Sequence, residues 1–115
     1  MTGFYIVDLR PAWKRERYIT FWRSNNAGYA WPLCWAGSYS ANQVNRGGGY
    51  YAQRRGRSLT RFAVPCAKVM RLAEEPEPGR LEGGVGPVVV NNISNRRKLR
   101  AAAINRDAAI SEEAA

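Results

Sequence analysis

Histidine is absent from this chain, and with it go the usual general base, the commonest nitrogen ligand for metals and every Ser-His or Cys-His nucleophile. Cysteine is almost as scarce. Cys34 and Cys66 are the only two, too few for a disulfide framework and without the paired spacing of a zinc site, so both are expected to be buried, reduced thiols. Acids are thin where chemistry would need them, since Asp8 and Glu16 are the only carboxylates in the first 73 residues. Two acids can hold a divalent metal for phosphodiester cleavage, which leaves a nuclease pair of Asp8 and Glu16 as the one catalytic alternative. The simpler expectation is that Asp8 faces an arginine and Glu16 offsets the basic run around it. No apolar run approaches the ~18 residues of a membrane span, and Asp8 falls where a secretory signal would be apolar. The expectation is an intracellular, non-enzymatic protein with no cofactor, no metal and no membrane association.

What the chain does have is positive charge, unevenly placed. Residues 1–71 carry 12 Lys and Arg against 2 acids, whereas residues 72–115 carry 6 against 7. Of the 18 cations 15 are arginine, which forks onto phosphate and stacks on π-faces better than lysine. All 13 aromatic residues fall between Phe4 and Phe62. At 115 residues the chain is of single-domain size and can close a core without disulfide or metal.

The pattern predicts an α+β domain over residues 1–106, with a small antiparallel sheet of about three to five short strands and two or three helices. Phe4–Leu9 reads as the first strand, ended by Pro11. Residues 18–23 read as the second, with Tyr18, Thr20 and Trp22 on one face and Ile19, Phe21 and Arg23 on the other. Residues 24–28, SNNAG, supply the positive-φ residues of a hairpin connection. Residues 29–35 read as a third, edge strand limited by Pro32, with Tyr29, Trp31, Leu33 and Trp35 on one face. Ser40 and Gln43 have capping-box spacing for a short helix. Phe62–Val64 reads as a last short strand and residues 66–73 as a helix with Pro65 in its first turn and a core stripe of Cys66, Val69, Met70 and Ala73. Residues 74–87 read as extended linker, Val88–Val90 as a brief strand, and residues 94–106 as a terminal helix capped by Ser94, with Leu99, Ala102, Ala103 and Arg106 on one stripe. The tail, 107–115, is expected to be disordered.

Three groups of residues are candidates for holding a polyanion. The first is Trp13, Lys14, Arg15, Arg17 and Arg23 around the second strand. The second lies in the glycine-rich stretch 45–61, expected to be a loop: Arg46, Arg54, Arg55, Arg57 and Arg61 for phosphates, with Tyr50 and Tyr51 available for stacking. A solvated, mobile loop would have the same composition. The third is Arg96, Arg97 and Lys98, which the expected helix puts at the positive end of its dipole, where an anionic partner would relieve the repulsion. Tyr18, Trp22, Tyr29, Trp31 and Trp35 are expected to pack the core instead. These features point to a nucleic acid or a nucleoprotein assembly as partner, bound by a monomer or by a homodimer paired along the edge at residues 29–35.

The segment YITFWRSNNAGYAWPLCWAGSY, residues 18–39, resembles a family of small bacteriophage and prophage proteins in which a TFWRP-like strand, an NAGY turn and a PLxWAGxY segment follow one another. The likeness continues in VPCAKVMRLA at 64–73, matching VPCxxVxRLA, and in GPVVV at 86–90, and spans nearly the whole chain through Ile104. Two departures stand out: Ser24 replaces the proline, and residues 46–61 are unusually rich in arginine. The family supplies no catalytic residue to carry over. What the resemblance implies is a small phage protein acting in the bacterial cytoplasm, of the kind that binds a host machine and blocks it, inhibitors of CRISPR surveillance complexes included. A general nucleic-acid-binding accessory protein and a minor virion component are the alternatives.

Overall fold

The computed structural model describes residues 3–78 and 86–104. Five antiparallel strands, β1 (Phe4–Asp8), β2 (Thr20–Trp22), β3 (Tyr29–Ala30), β4 (Ala52–Arg55) and β5 (Ser58–Pro65), form one sheet in the order β3-β2-β1-β5-β4. Three helices, α1 (Ala41–Gly47), α2 (Cys66–Met70) and α3 (Ile93–Ala101), complete the expected α+β architecture.

β1 occupies the centre because it is apolar on both faces, and Tyr5–Leu9 are all buried. Tyr5, Val7 and Leu9 enter the larger cluster, where Val7 lies across from both Phe21 and Phe62. Val69 of α2 and Leu99 of α3 close over it. Ile6 faces the other way, with Trp22 and Ala63, under Val44 of α1 and the rings of Tyr39 and Tyr51. Burying each aliphatic or Phe side chain stabilises by about 1.5–3 kcal/mol, so the two clusters lock β1, β2 and β5 together from both sides.

The SNNAG connection behaves as expected: Asn25 and Asn26 hold φ of 56° and 59°, and Gly28 129°. The capping box is present, with Gln43 N donating to Ser40 Oγ at 3.1 Å and Ser40 N to Gln43 Oε1 at 2.8 Å. Cys66 and Val69 are buried as a core stripe requires, although α2 stops at Met70 and Pro65 precedes it as the last residue of β5.

Several expectations fail for identifiable reasons. The third strand ends after two residues. Pro32 has no amide hydrogen to give a ladder, and its carbonyl instead accepts from Trp35 and Ala36, folding residues 32–36 into a turn. Leu33 therefore reaches the larger cluster while Trp35 stays exposed. The stretch 45–61 is not a loop but the end of α1, a turn of 3-10 helix at Gly48–Tyr51, and the β4-β5 hairpin. A two-residue connection, Gly56-Arg57, joins the two strands, and Gly56 carries the φ of +62° that this turn demands. Phe62–Val64 thus belongs to an eight-residue strand. Val88 and Val90 make only isolated bridges, to Glu74 and Tyr18. Those bridges pack the two described ends of the expected linker against the body, where Glu77 N also donates to the Tyr18 hydroxyl at 3.0 Å.

Asn92, not Ser94, caps α3, accepting from Asn95 N at 2.7 Å. The preceding chain is held extended up to that point because Asn91 Nδ2 donates to the carbonyls of Lys14 and Glu16, at 3.1 and 2.7 Å. Arg96 consequently closes the first turn, its N donating to the Asn92 carbonyl at 3.0 Å, and Arg97 and Lys98 lie beyond it. Lys98 and Arg100 occupy the last turn, where the helix dipole favours cations, so most of the expected electrostatic conflict is relieved. Leu99 and Ala103 are buried as expected, while Arg106, the end of the expected helix and the 107–115 tail lie outside the described residues. Cys34 is exposed, against expectation, and Cys66 buried; both are free thiols.

Candidate nucleic-acid interface

On the α1 side of the sheet, cross-strand register brings Asp8 opposite Thr20 on β2 and Arg61 on β5. Asp8 is 2% exposed, a position a carboxylate can hold only if its oxygens are fully engaged. Four donors do this. Arg10 forks onto it, Nε to Oδ1 at 3.1 Å and Nη2 to Oδ2 at 2.7 Å, and its backbone N donates to Oδ1 at 3.0 Å. The Trp22 indole donates to Oδ2 at 3.0 Å. Arg61 Nε stands 3.8 Å from the same oxygen, a buried donor with no hydrogen-bond partner among the described residues. Burial alone would raise the Asp8 carboxyl; the bonds from Arg10 and Trp22 outweigh it and hold the group below its ordinary value.

This carboxylate positions two arginines between aromatic rings. The Arg10 guanidinium lies 4.0 Å from the Trp13 ring centroid and 5.0 Å from that of Tyr29, while Nη2 also donates to the Tyr29 hydroxyl at 3.0 Å. The Arg61 guanidinium lies 4.7 Å from Trp22 and 4.8 Å from Tyr50. Edge-on contacts of Trp22 with Tyr29 and Tyr50, at 5.7 and 5.6 Å, join the two halves. The result is a continuous run, Trp13, Arg10, Tyr29, Trp22, Arg61, Tyr50, rooted in one buried acid. Nearby Arg23 covers Trp35 at 5.1 Å and donates to the Tyr29 carbonyl at 3.0 Å. Tyr29, Trp35 and Tyr50 are exposed large aromatics.

The sequence candidates divide accordingly. Trp13, Arg61 and Tyr50 belong to the run, and Arg23 adjoins it. Lys14 and Arg15 are exposed beside Trp13 in the β1-β2 connection, and Arg17 pairs with Glu77 at 3.0 Å. Arg46 is exposed on α1; Arg54, Arg55 and Arg57 are exposed on the hairpin. By strand alternation Arg55 continues the Arg61 side and Arg54 the other. Tyr51 is buried, its hydroxyl donating to Asn26 Oδ1 at 2.8 Å, so it supports the site rather than presenting a ring. Arg96, Arg97 and Lys98 belong elsewhere: α3 packs on the opposite layer through Leu99. There Ile93, Arg96, Arg97 and Arg100 form a separate cationic surface. Burial holds the Arg96 and Arg100 pKa values below the arginine norm, Arg100 adding to the effect on Arg96.

Sequence reasoning missed Arg10 and Arg100 and assigned Tyr29 and Trp35 to the core. Trp22 and Tyr18 do pack as the core set requires, and Trp31 is half-buried, its indole donating to Thr20 Oγ1 at 3.2 Å. The available signal for Arg10 was Asp8-Leu-Arg10 itself, two opposite charges at the spacing that points both side chains to one side of an extended chain. Asp8 does face an arginine, as anticipated. Among the described residues no group of three or more His, Cys, Asp or Glu could hold a metal. Among the same residues no helix is long and apolar enough to cross a membrane. No protein-family model matches the chain, and neither a search of curated proteins nor one of solved structures finds a match.

Proposed function

We propose that the protein is a non-enzymatic binder of single-stranded nucleic acid, which it engages along the arginine-aromatic run of the sheet. The observation that carries this reading is the pair of arginines clamped between rings over Asp8, beside the exposed Tyr29, Trp35 and Tyr50. Guanidiniums fixed in place offer their remaining N–H donors to phosphates without losing further rotamer freedom, and exposed rings offer platforms to unstacked bases, each worth about 1–3 kcal/mol. Duplex DNA hides its base faces and cannot use the rings. Asp8, with four donors already on it, has no free lone pair to spend on a metal or a water, which supports the non-catalytic reading.

The test is fluorescence anisotropy with labelled single-stranded and duplex oligonucleotides across a salt series. Single strands are expected to bind more tightly, with affinity falling by about 300-fold or more between 50 and 200 mM salt if six or more phosphates are engaged. Tyr50→Ala should weaken single-strand binding roughly five- to tenfold, the lower end of one stacking contact. Tighter binding of the duplex, or an unaltered Tyr50→Ala protein, would overturn the reading.

A second reading, a phage effector that docks on a host nucleoprotein machine and inhibits it, as anti-CRISPR proteins do, is favoured by the surface of α3. Ile93 there is 74% exposed among Arg96, Arg97 and Arg100, a mixture of apolar and cationic groups without rings that suits an acidic protein face. Capture of one host complex that survives nuclease treatment of a bacterial lysate, and its loss on Arg97→Glu, would favour this reading over a free nucleic-acid binder.

A further inference from the structure

Adjoining the arginine-aromatic run is an open pocket of about 430 Å³ between the SNNAG turn and α1, lined by Asn25, Asn26, Gln43, Arg46, Tyr50 and Tyr51 among others. Its volume falls in the range of small-molecule sites, about 300–1,000 Å³, and its lining mixes the side chains of Asn25, Asn26, Gln43 and Arg46 with the rings of Tyr39, Tyr50 and Tyr51. Tyr50 belongs to both, being one end of the run and one wall of the pocket.

The hydrogen bonds within this pocket have a direction. Asn26 Oδ1 accepts from the Tyr51 hydroxyl at 2.8 Å, while the Tyr39 hydroxyl gives its one proton to the Arg23 carbonyl. Gln43 Oε1 accepts from Ser40 N at 2.8 Å. A carboxamide whose oxygen is engaged in this way keeps its NH₂, with two donors, as the group left to offer a ligand. Arg46 can only donate. Two of the three amides and the one charged group of the lining are thus committed as donors by contacts within the protein itself.

We propose that this pocket receives one base of the bound strand and selects keto bases over amino bases. Guanine offers two acceptors on one edge, O6 and N7, and thymine or uracil offers O4, whereas adenine and cytosine present an amino group at the corresponding position. An amino donor set against the Asn26 and Gln43 amides leaves donors facing donors. A keto oxygen is satisfied by them, with the ring against Tyr50 and the neighbouring phosphate near Arg46. The inference rests on the proposed single-strand binding and adds the base preference.

Oligothymidylate and oligocytidylate of equal length, compared by anisotropy at one salt concentration, test it. Wild-type protein should bind the thymidylate strand about tenfold more tightly, a modest value for one base contact of this kind. Gln43→Glu keeps the capping box, which accepts Glu as readily as Gln at that position, and replaces the amide donors with acceptors. The thymidylate-to-cytidylate ratio should fall to about one or invert, whatever the added charge does to both affinities. Salt-sensitive binding with equal affinity for the two strands, or a ratio unchanged by Gln43→Glu, would overturn the pocket's role while leaving the binding face intact. Binding of neither strand would overturn both readings.

Discussion

Asp8 carries two opposed requirements, to stay ionised while buried and to anchor cations that face outward. Removing it in Asp8→Ala leaves Trp22 Nε1 and the Arg10 fork without their acceptor, and breaking a buried pair from one side costs about 3–5 kcal/mol. Arg10 is one-third exposed and regains some water, so the expected loss is about 3 kcal/mol, read as a lower urea midpoint. The sign of the pH dependence follows from the depressed carboxyl pKa. Stability from Asp8 is fully present above the unfolded value of about 3.9 and is lost as pH falls through the lower folded value. The stability gap between wild type and Asp8→Asn should therefore be widest near neutrality and narrow below about pH 4; urea titrations at neutral and acidic pH check it. The two thiols give a second contrast. Burial pushes the Cys66 thiol up, whereas Cys34 is exposed, so a thiol reagent should label Cys34 in the native protein and Cys66 only after denaturation.

Among the elements, those fixed by their own residues were legible and those fixed by distant partners were not. β1 could be read because four consecutive positions, Phe4 to Val7, are β-prone and Pro11 follows shortly after them. The start of α1 could be read because Ser40 and Gln43 complete each other. The hairpin hid behind glycine and arginine: Gly56 is a turn requirement, and β4, an outer strand, carries Gln53, Arg54 and Arg55, cations that discourage edge pairing and disguise a strand as a polar loop. The start of α3 was displaced by Asn91, whose bonds to the distant 14–16 segment no local pattern reveals. Of the site, the residue types were legible in the basic-aromatic composition, but the run itself depends on register between β1, β2 and β5. Two outcomes follow at this scale. Asn92→Ala should cost about 1 kcal/mol, the usual value of an N-cap, while Ser94→Ala should stay within about 0.5 kcal/mol; paired thermal melts decide between the caps. Replacing Arg54, Arg55 and Arg57 together by Ala should reduce the salt dependence of nucleic-acid binding by about one phosphate contact per arginine engaged, without lowering the melting temperature. An unchanged salt slope in a folded variant would remove the hairpin from the interface.

For the whole molecule, the formal net charge of +9 is mostly self-repelling, since the described ion pairs are those of Arg10 and Arg61 with Asp8 and of Arg17 with Glu77. A polyanion that binds the native state should raise the melting temperature at low ionic strength by mass action, and salt should remove the gain. Thermal melts with and without polyphosphate check this, and a gain that persists in salt would mean a contact other than charge. β1 meets β2 about a dozen residues on, but meets β5 only after the chain has completed α1 and the hairpin. Both clusters draw on β5, one through Phe62 and Val64 and the other through Ala63, so both must close late, as non-local pairings do.

The surroundings of Trp22 also make the protein its own optical probe. Its indole is buried, hydrogen-bonded to a carboxylate, and ringed by Tyr29, Tyr50 and Tyr51, whereas Trp35 is exposed under Arg23. Emission from the first should lie towards the blue and from the second towards the red. A strand stacking at the rim would quench the red component first, so a blue shift of the remaining light reports that a base has covered an exposed ring, with no label attached.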